Sequence, residues 1–304
     1  MNPSLVEKIA KLKRQRNAVI LAHNYQIAEV QDIADFTGDS LGLSIQAAKT
    51  KADVIVFCGV HFMAETAAIL SPSKTVLLPD SHAGCPMADM ITAPQLIEFK
   101  AKYPGAVVVC YVNSSAEVKA HCDVCCTSAN AVEIIKSIDP AKQIIFVPDK
   151  YLGSYAAAKT GREIILWPGY CPTHANITAE DITKLKIAHP DALVLAHPEC
   201  RQEVVALADK ALSTSGMIKF VAASPATEFI IATEQGIIHT LKKQNPQKHF
   251  IIASQRAVCP NMKRITLEKI LWSLEDMKYK ITVDPEIAAQ ALKSIEKMIS
   301  VLPS

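Results

Sequence analysis

The feature that most constrains this chain is an internal repeat with a period near 87 residues. Residues 92–104 align with residues 178–190, 86 positions further on. Residues 4–13 lie 88 positions before the first of these, and residues 266–272 lie 88 after the second. Each segment opens on a Ser or Thr (Ser4, Thr92, Thr178, Thr266) and then carries apolar residues at helical spacing. That pattern predicts a capped amphipathic helix four times over. After the first three helices comes an apolar, β-branched run with abrupt polar ends, at 18–22, 107–111 and 193–196. A second run follows at 54–58, 144–147 and 218–221, and a third at 76–78, 164–167 and 250–253. Short runs of this kind read as buried strands, and their alternation with helices reads as βαβ units on a parallel sheet. The expected fold class is α/β: three similar three-layer α/β/α sandwich modules at 1–85, 86–172 and 173–259, related by pseudo-threefold symmetry. A helical tail, 260–304, is expected to pack back on a module through the apolar stripe of 285–299. At 304 residues the chain is long enough for several such cores.

Composition removes several classes of function. Lys and Arg number 32 against 30 Asp and Glu, so charge gives no case for a nucleic-acid partner. No apolar run approaches the ~18 residues of a membrane span. The basic start before residues 18–22 imitates a secretory leader, but the apolar run stops after five residues at His23, which argues for a cytoplasmic protein. Ten glycines, none in a G-x-G pair or a P-loop, leave neither a dinucleotide fingerprint nor a glycine cradle for phosphate.

Nine cysteines in such a chain argue for metal binding or burial rather than disulfides. Cys58 and Cys110 lie inside apolar runs and read as small core residues. Three others share the phase of the repeat as Cys-Pro pairs: Cys85-Pro86, Cys171-Pro172 and Cys259-Pro260. Chance would give about half a pair for this composition. Proline suits the first turn of a helix and leaves the cysteine near its positive end, where thiolate is favoured. Three thiolates leave a metal one open position. A catalytic zinc with water, adding His174, and an iron–sulfur cluster with one free iron both satisfy that count. Cys122-x-x-Cys125-Cys126 has no counterpart in the other copies and reads as a redox-sensitive thiol group at most.

Two polar sets follow the same phase. The first strand of each copy breaks into Ala22-His23-Asn24-Tyr25, Tyr111-Val112-Asn113-Ser114 and Ala196-His197-Pro198-Glu199. About sixteen residues later a hydroxyl opens the next helix: Ser40, Ser128 and Thr214. Helix starts with spare hydroxyls are anion sites, and three suit a substrate with several carboxylates or a phosphate. Capping is the plainer account of the same hydroxyls.

With these residues in place the chain resembles the quinolinate synthase family, the A proteins of NAD biosynthesis. The likeness runs through Ala22–Tyr25, Gly38–Ser40, Tyr111–Asn113, Thr127–Asn130, Trp167–Pro172, His197–Cys200, Ser213–Ser215 and Cys259–Met262. The resemblance implies three α/β modules around a 4Fe–4S cluster held by Cys85, Cys171 and Cys259, with one iron open to substrate. It implies a transferase-type condensing and dehydrating synthase that joins iminoaspartate to dihydroxyacetone phosphate, giving quinolinate, phosphate and water. An aspartate-oxidising enzyme would supply the iminoaspartate. It further implies that His23, Ser40, Tyr111, Val112, Asn113, Ser128, His197, Pro198, Glu199 and Thr214 bind substrate, and that Tyr25 and Glu199, with His23 and His197, carry the chemistry. Some members place a second cysteine three residues before the third ligand; here Arg256 stands there. An aconitase-like hydro-lyase and a cluster-bearing sensor without turnover are the alternatives.

Overall fold

The structure, a computed structural model, describes residues 3–301. Its twelve strands form three parallel four-stranded sheets. The first holds β1 (Ala18–His23), β2 (Phe36–Gly38), β3 (Val54–Cys58) and β4 (Thr75–Leu77). The second holds β5 (Val107–Tyr111), β6 (Val124–Cys126), β7 (Ile144–Val147) and β8 (Ile165–Leu166). The third holds β9 (Leu193–Ala196), β10 (Lys210–Ala211), β11 (Glu228–Ala232) and β12 (His249–Ile252). All three share one strand order, β2-β1-β3-β4 in the first and its equivalents in the others. The central strands are continuous apolar runs because helices cover both faces, as β3 shows with every residue buried.

One predicted strand is corrected. Residues 218–221 lie inside the helix Thr214–Ala223, and the central strand of the third sheet is β11. The 218–221 run is apolar on one helical face, with Met217 and Val221 buried and Lys219 exposed. In so short a window a helical stripe and a strand look alike. The short edge strands β2, β6 and β10 were not expected. The predicted caps hold at Thr92 and Thr178, both with full capping boxes, and at Thr266. Ser4 is instead a residue within the helix Pro3–Gln15.

Each edge strand starts from an aspartate brace that also keeps the phase of the repeat. Asp35, Asp123 and Asp209 accept the backbone N–H of Ile20, Val108 and Val194 at 2.7–2.8 Å. Their own amides donate back to the same residues' carbonyls. A basic residue before the last strand closes each unit in phase as well. Lys74, Arg162 and Lys248 donate to carbonyls at the C-terminal end of the helix before the central strand, such as Thr50, Ile138 and Val221.

The first two sheets and the tail share one apolar core, whereas the third sheet has separate cores on its two faces. The tail helix Leu267–Asp276 packs on Pro3–Gln15, and Pro285–Ser300 lies across Ala116–Ala120, β6 and His61–Leu70. Among the described residues no helix is long and apolar enough to cross a membrane.

Candidate functional site

The carboxyl ends of all three sheets face one cavity of about 410 Å³. Cys85, Cys171 and Cys259 line it together, as do His23, Tyr25, Tyr111, Asn113, His197 and Glu199. Ser40, Ser128 and Thr214 complete the set. Val112 and Pro198 do not belong to this wall: Val112 is buried in the core, and Pro198 is buried between two wall residues. Cys122, Cys125 and Cys126 are also absent from the wall, and Cys125 and Cys126 are core residues. Arg256 pairs outward with Asp181, 3.2 Å away, so Cys259 has no thiol beside it from that position.

The hydroxyl set differs from expectation in an instructive way. Asp39 and Ser213, not Ser40 and Thr214, cap their helices, accepting the amides of Gly42 and Gly216. Ser40 and Thr214 are the first helical residues. Ser128 precedes its helix, which starts at Ala131. Thr214 Oγ1 accepts from Asn24 Nδ2 at 2.9 Å, and Ser128 Oγ lies 3.1 Å from His197 Nε2. The first contact joins the first and third sheets; the second joins the second and third.

The polar groups form a continuous run across the cavity. Tyr25 Oη lies 2.6 Å from Thr233 Oγ1, which lies 2.8 Å from His174 Nε2. The other ring nitrogen, Nδ1, is 2.7 Å from Glu199 Oε2, and Tyr111 donates to Glu199 Oε1. His174 also stacks on His197 with ring centroids 4.7 Å apart. Burial raises the phenols of Tyr25 and Tyr111, and the charge of Glu199 raises them further, well above their usual 10.0. Burial lowers His23 and His197 to about 3, so both are neutral at physiological pH. Burial would raise Glu199 too, but His174, His197 and Tyr111 outweigh it and hold the carboxylate ionised. On the wall, His23 and His197 are therefore neutral, Tyr25 and Tyr111 protonated, and Glu199 ionised.

The sequence reading missed Thr233, Glu234 and Lys263. Glu234 is fully buried and lines the cavity. Its oxygens accept from the amides of Cys259 and Gly236 and from Lys263. Thr233 and Glu234 are the polar end of β11, the strand misplaced in the sequence, and would have stood out with the strand in place.

The thiols fit a metal by their chemistry. Burial pushes Cys85 up to about 12 and raises Cys171 and Cys259 as well. The helix starts at these Cys-Pro steps are too short to reverse this: a four-residue turn after Cys171, and three-residue turns that begin three residues after Cys85 and Cys259. Cys85 is raised further by Cys259, and Cys171 by Glu199 and Cys85, so each thiol is held protonated by its neighbours' charge as well as by burial. Such a trio ionises together only around a cation. A second donor group is present: the ligand atoms of Cys171, His174 and Glu199 lie within 4.8 Å of one another.

The chain is similar to known proteins along nearly its whole length. Residues 7–300 match the family described as Quinolinate synthetase A protein. The chain is 56% identical over 295 residues, 97% of each chain, to "Quinolinate synthase" of Dehalococcoides mccartyi strain CBDB1. It is 55% identical to "Quinolinate synthase" of Geobacter metallireducens, with 98% of both chains covered. It is 55% identical to "Quinolinate synthase" of Methanosarcina barkeri, covering 98% of this chain and 97% of that one. Three in-phase cysteines on one cavity and a match along nearly the full length lead to one conclusion: the chain belongs to the quinolinate synthase family.

Proposed function

We propose that this chain condenses iminoaspartate with dihydroxyacetone phosphate to give quinolinate, phosphate and water, with a 4Fe–4S cluster held by Cys85, Cys171 and Cys259. On this reading the modules 1–85, 86–172 and 173–259 stand around a pseudo-threefold axis, and an aspartate-oxidising enzyme supplies the imine. The observation that carries it is the unbroken run Tyr25–Thr233–His174–Glu199–Tyr111, whose members other than Thr233 line the cavity with the three thiols. When bound, the cluster supplies an open iron that acts as a Lewis acid on a substrate oxygen.

The protein's own groups do the rest. Neutral His23 and His197 each offer one ring N–H to a substrate carboxylate while the other nitrogen accepts a backbone amide, from Tyr25 and Glu199 respectively. Ser40 and Thr214, at helix starts, and Ser128, ahead of one, donate hydroxyls to carboxylate or phosphate. The buried Oδ1 of Asn113 has no partner among the described residues and is suited to an N–H of the imine substrate. Glu199 accepts a proton from carbon, and the phenols of Tyr25 and Tyr111 deliver protons to departing hydroxyls. Thr233 and His174 connect the two ends, so a proton taken at Glu199 can reach Tyr25.

The nearby Cys171, His174 and Glu199 donors favour a second reading, a zinc hydrolytic or hydro-lyase site. Metal analysis of protein purified without oxygen separates the two. On the cluster reading, iron and sulfide are lost in Cys85→Ala, Cys171→Ala and Cys259→Ala and retained in His174→Ala and Cys122→Ala. Stoichiometric zinc that vanishes in His174→Ala would overturn it, as would failure of the wild type to form quinolinate from the two substrates.

A further inference from the structure

The third metal-ligand loop is fastened differently from the first, and the fastening reaches the catalytic tyrosine. Glu234 follows the central strand of the third sheet by two residues; the same place in the first copy is Val60, which has no polar side chain. Glu234 Oε1 accepts the amide of Cys259 at 3.0 Å and lies 2.9 Å from Lys263 Nζ. Its second oxygen accepts the amide of Gly236 at 2.7 Å. The Lys263 ammonium, mostly buried, also donates to the carbonyl oxygen of Tyr25, from the start of the tail to the loop after β1. Gly236 presses on that same carbonyl: a Cβ there would lie 2.7 Å from it. Together with the bond from its hydroxyl to Thr233, Tyr25 is held at both ends by residues 233–236 and Lys263.

We infer that Glu234 and Lys263 are positioning residues that set the Cys259 loop and Tyr25 in one fixed relation, so that the metal centre and the proton donor are placed by a single buried ion pair. The inference rests on the proposed roles of Cys259 and Tyr25. A charge pair suits this task because each member left alone is a buried, uncompensated charge, so the two hold or fail together. The carboxylate also joins a backbone amide on one loop to an ammonium that grips another, which no apolar contact could do at fixed distance.

The test uses holoprotein purified without oxygen, with iron and sulfide per chain measured beside steady-state quinolinate formation. Lys263→Met should lower kcat by roughly ten- to a hundredfold, the cost of a misplacement near 1 Å. The KM values and the iron content should stay within about threefold of the wild type, because substrate binding and ligand number are untouched. Lys263→Arg keeps the charge and should recover most of the lost kcat. If Lys263→Met does not accumulate as soluble protein, Glu234→Gln/Lys263→Met, which removes both charges together, takes its place with the same expectation. Wild-type kcat in either variant overturns the inference. So does a loss of kcat that only tracks a loss of iron, or a Lys263→Arg protein no better than Lys263→Met. Cys259→Ala run alongside keeps the site reading separate: it loses iron if that reading holds, whatever Lys263 does.

Discussion

The first two sheets and the third are joined to the rest of the molecule by different chemistry. The first two, with the tail, bury their side chains in one continuous apolar core, which Ile295 and Met298 of the helix Pro285–Ser300 help to seal. The third sheet fills its own two faces and meets the others largely through polar contacts. Those contacts include Asn24 to Thr214, Gln31 to the Gly236 carbonyl, Asp32 to His239 and Lys243, and Tyr25 to Thr233. Apolar burial is non-directional and tolerates adjustment, whereas hydrogen bonds fix distance and direction. A weld holds the platform, and a directional joint sets the geometry of the cavity.

The comparison breaks most visibly in the weld. Ile295→Ala, at a fully buried side chain, should destabilise the protein by about 2–5 kcal/mol, read from urea unfolding. The affinity for quinolinate should change little in the protein that remains folded. If Ile295→Ala altered affinity more than stability, the division between weld and joint would be wrong.

A joint contact should show the opposite balance. Asn24→Ala removes the donor to Thr214 Oγ1 and should cost about 1–2 kcal/mol of ligand binding, roughly five- to thirtyfold in the dissociation constant of quinolinate. The unfolding midpoint should move less than it does in Ile295→Ala.

The smallest effect is expected at the rim. Burial raises the Asp32 carboxyl, but hydrogen bonds from Lys243 and His239 outweigh it and hold the group below its ordinary 3.8. A depressed carboxylate adds stability that is present above that value and is lost as pH falls through the folded value. Asp32→Asn should therefore cost under about 1 kcal/mol at pH 7 and less at an acid pH below 3.8, as read by thermal melting across pH. An equal cost at both pH values would show that the side chain acts through packing.

The welded part was the more legible in sequence. Continuous apolar runs such as 54–58 mark buried strands without help from the rest of the chain, and the three Cys-Pro pairs stand out because they keep one phase. The joint was less legible. Placing the strand at 218–221 instead of Glu228–Ala232 hid Thr233 and Glu234, which act just where that strand ends. Lys263 carries no local signal at all: its partners lie 29 and 238 positions away in the chain. The in-phase aspartates 35, 123 and 209 were visible in principle, but each does its work on a strand 15 residues earlier. The helix starts at Ser40 and Thr214 were found, though the capping was assigned one residue late. Asp39 and Ser213 satisfy the helix amides, which leaves the neighbouring hydroxyls for the cavity.

The three aspartate braces also bear on the order in which the molecule assembles. Each closes a loop of 15 residues, whereas the contacts between Asn24 and Thr214 and between Tyr25 and Thr233 close loops of 190 and 208. Closing the longer loops costs more chain entropy, and contacts at such separation form late. Each sheet can therefore start to fold on its own chain segment, while the cavity comes into being only when the third sheet docks on the other two. The three thiols meet only in that last step, so metal loading at them, on the proposed function, would report that folding is complete.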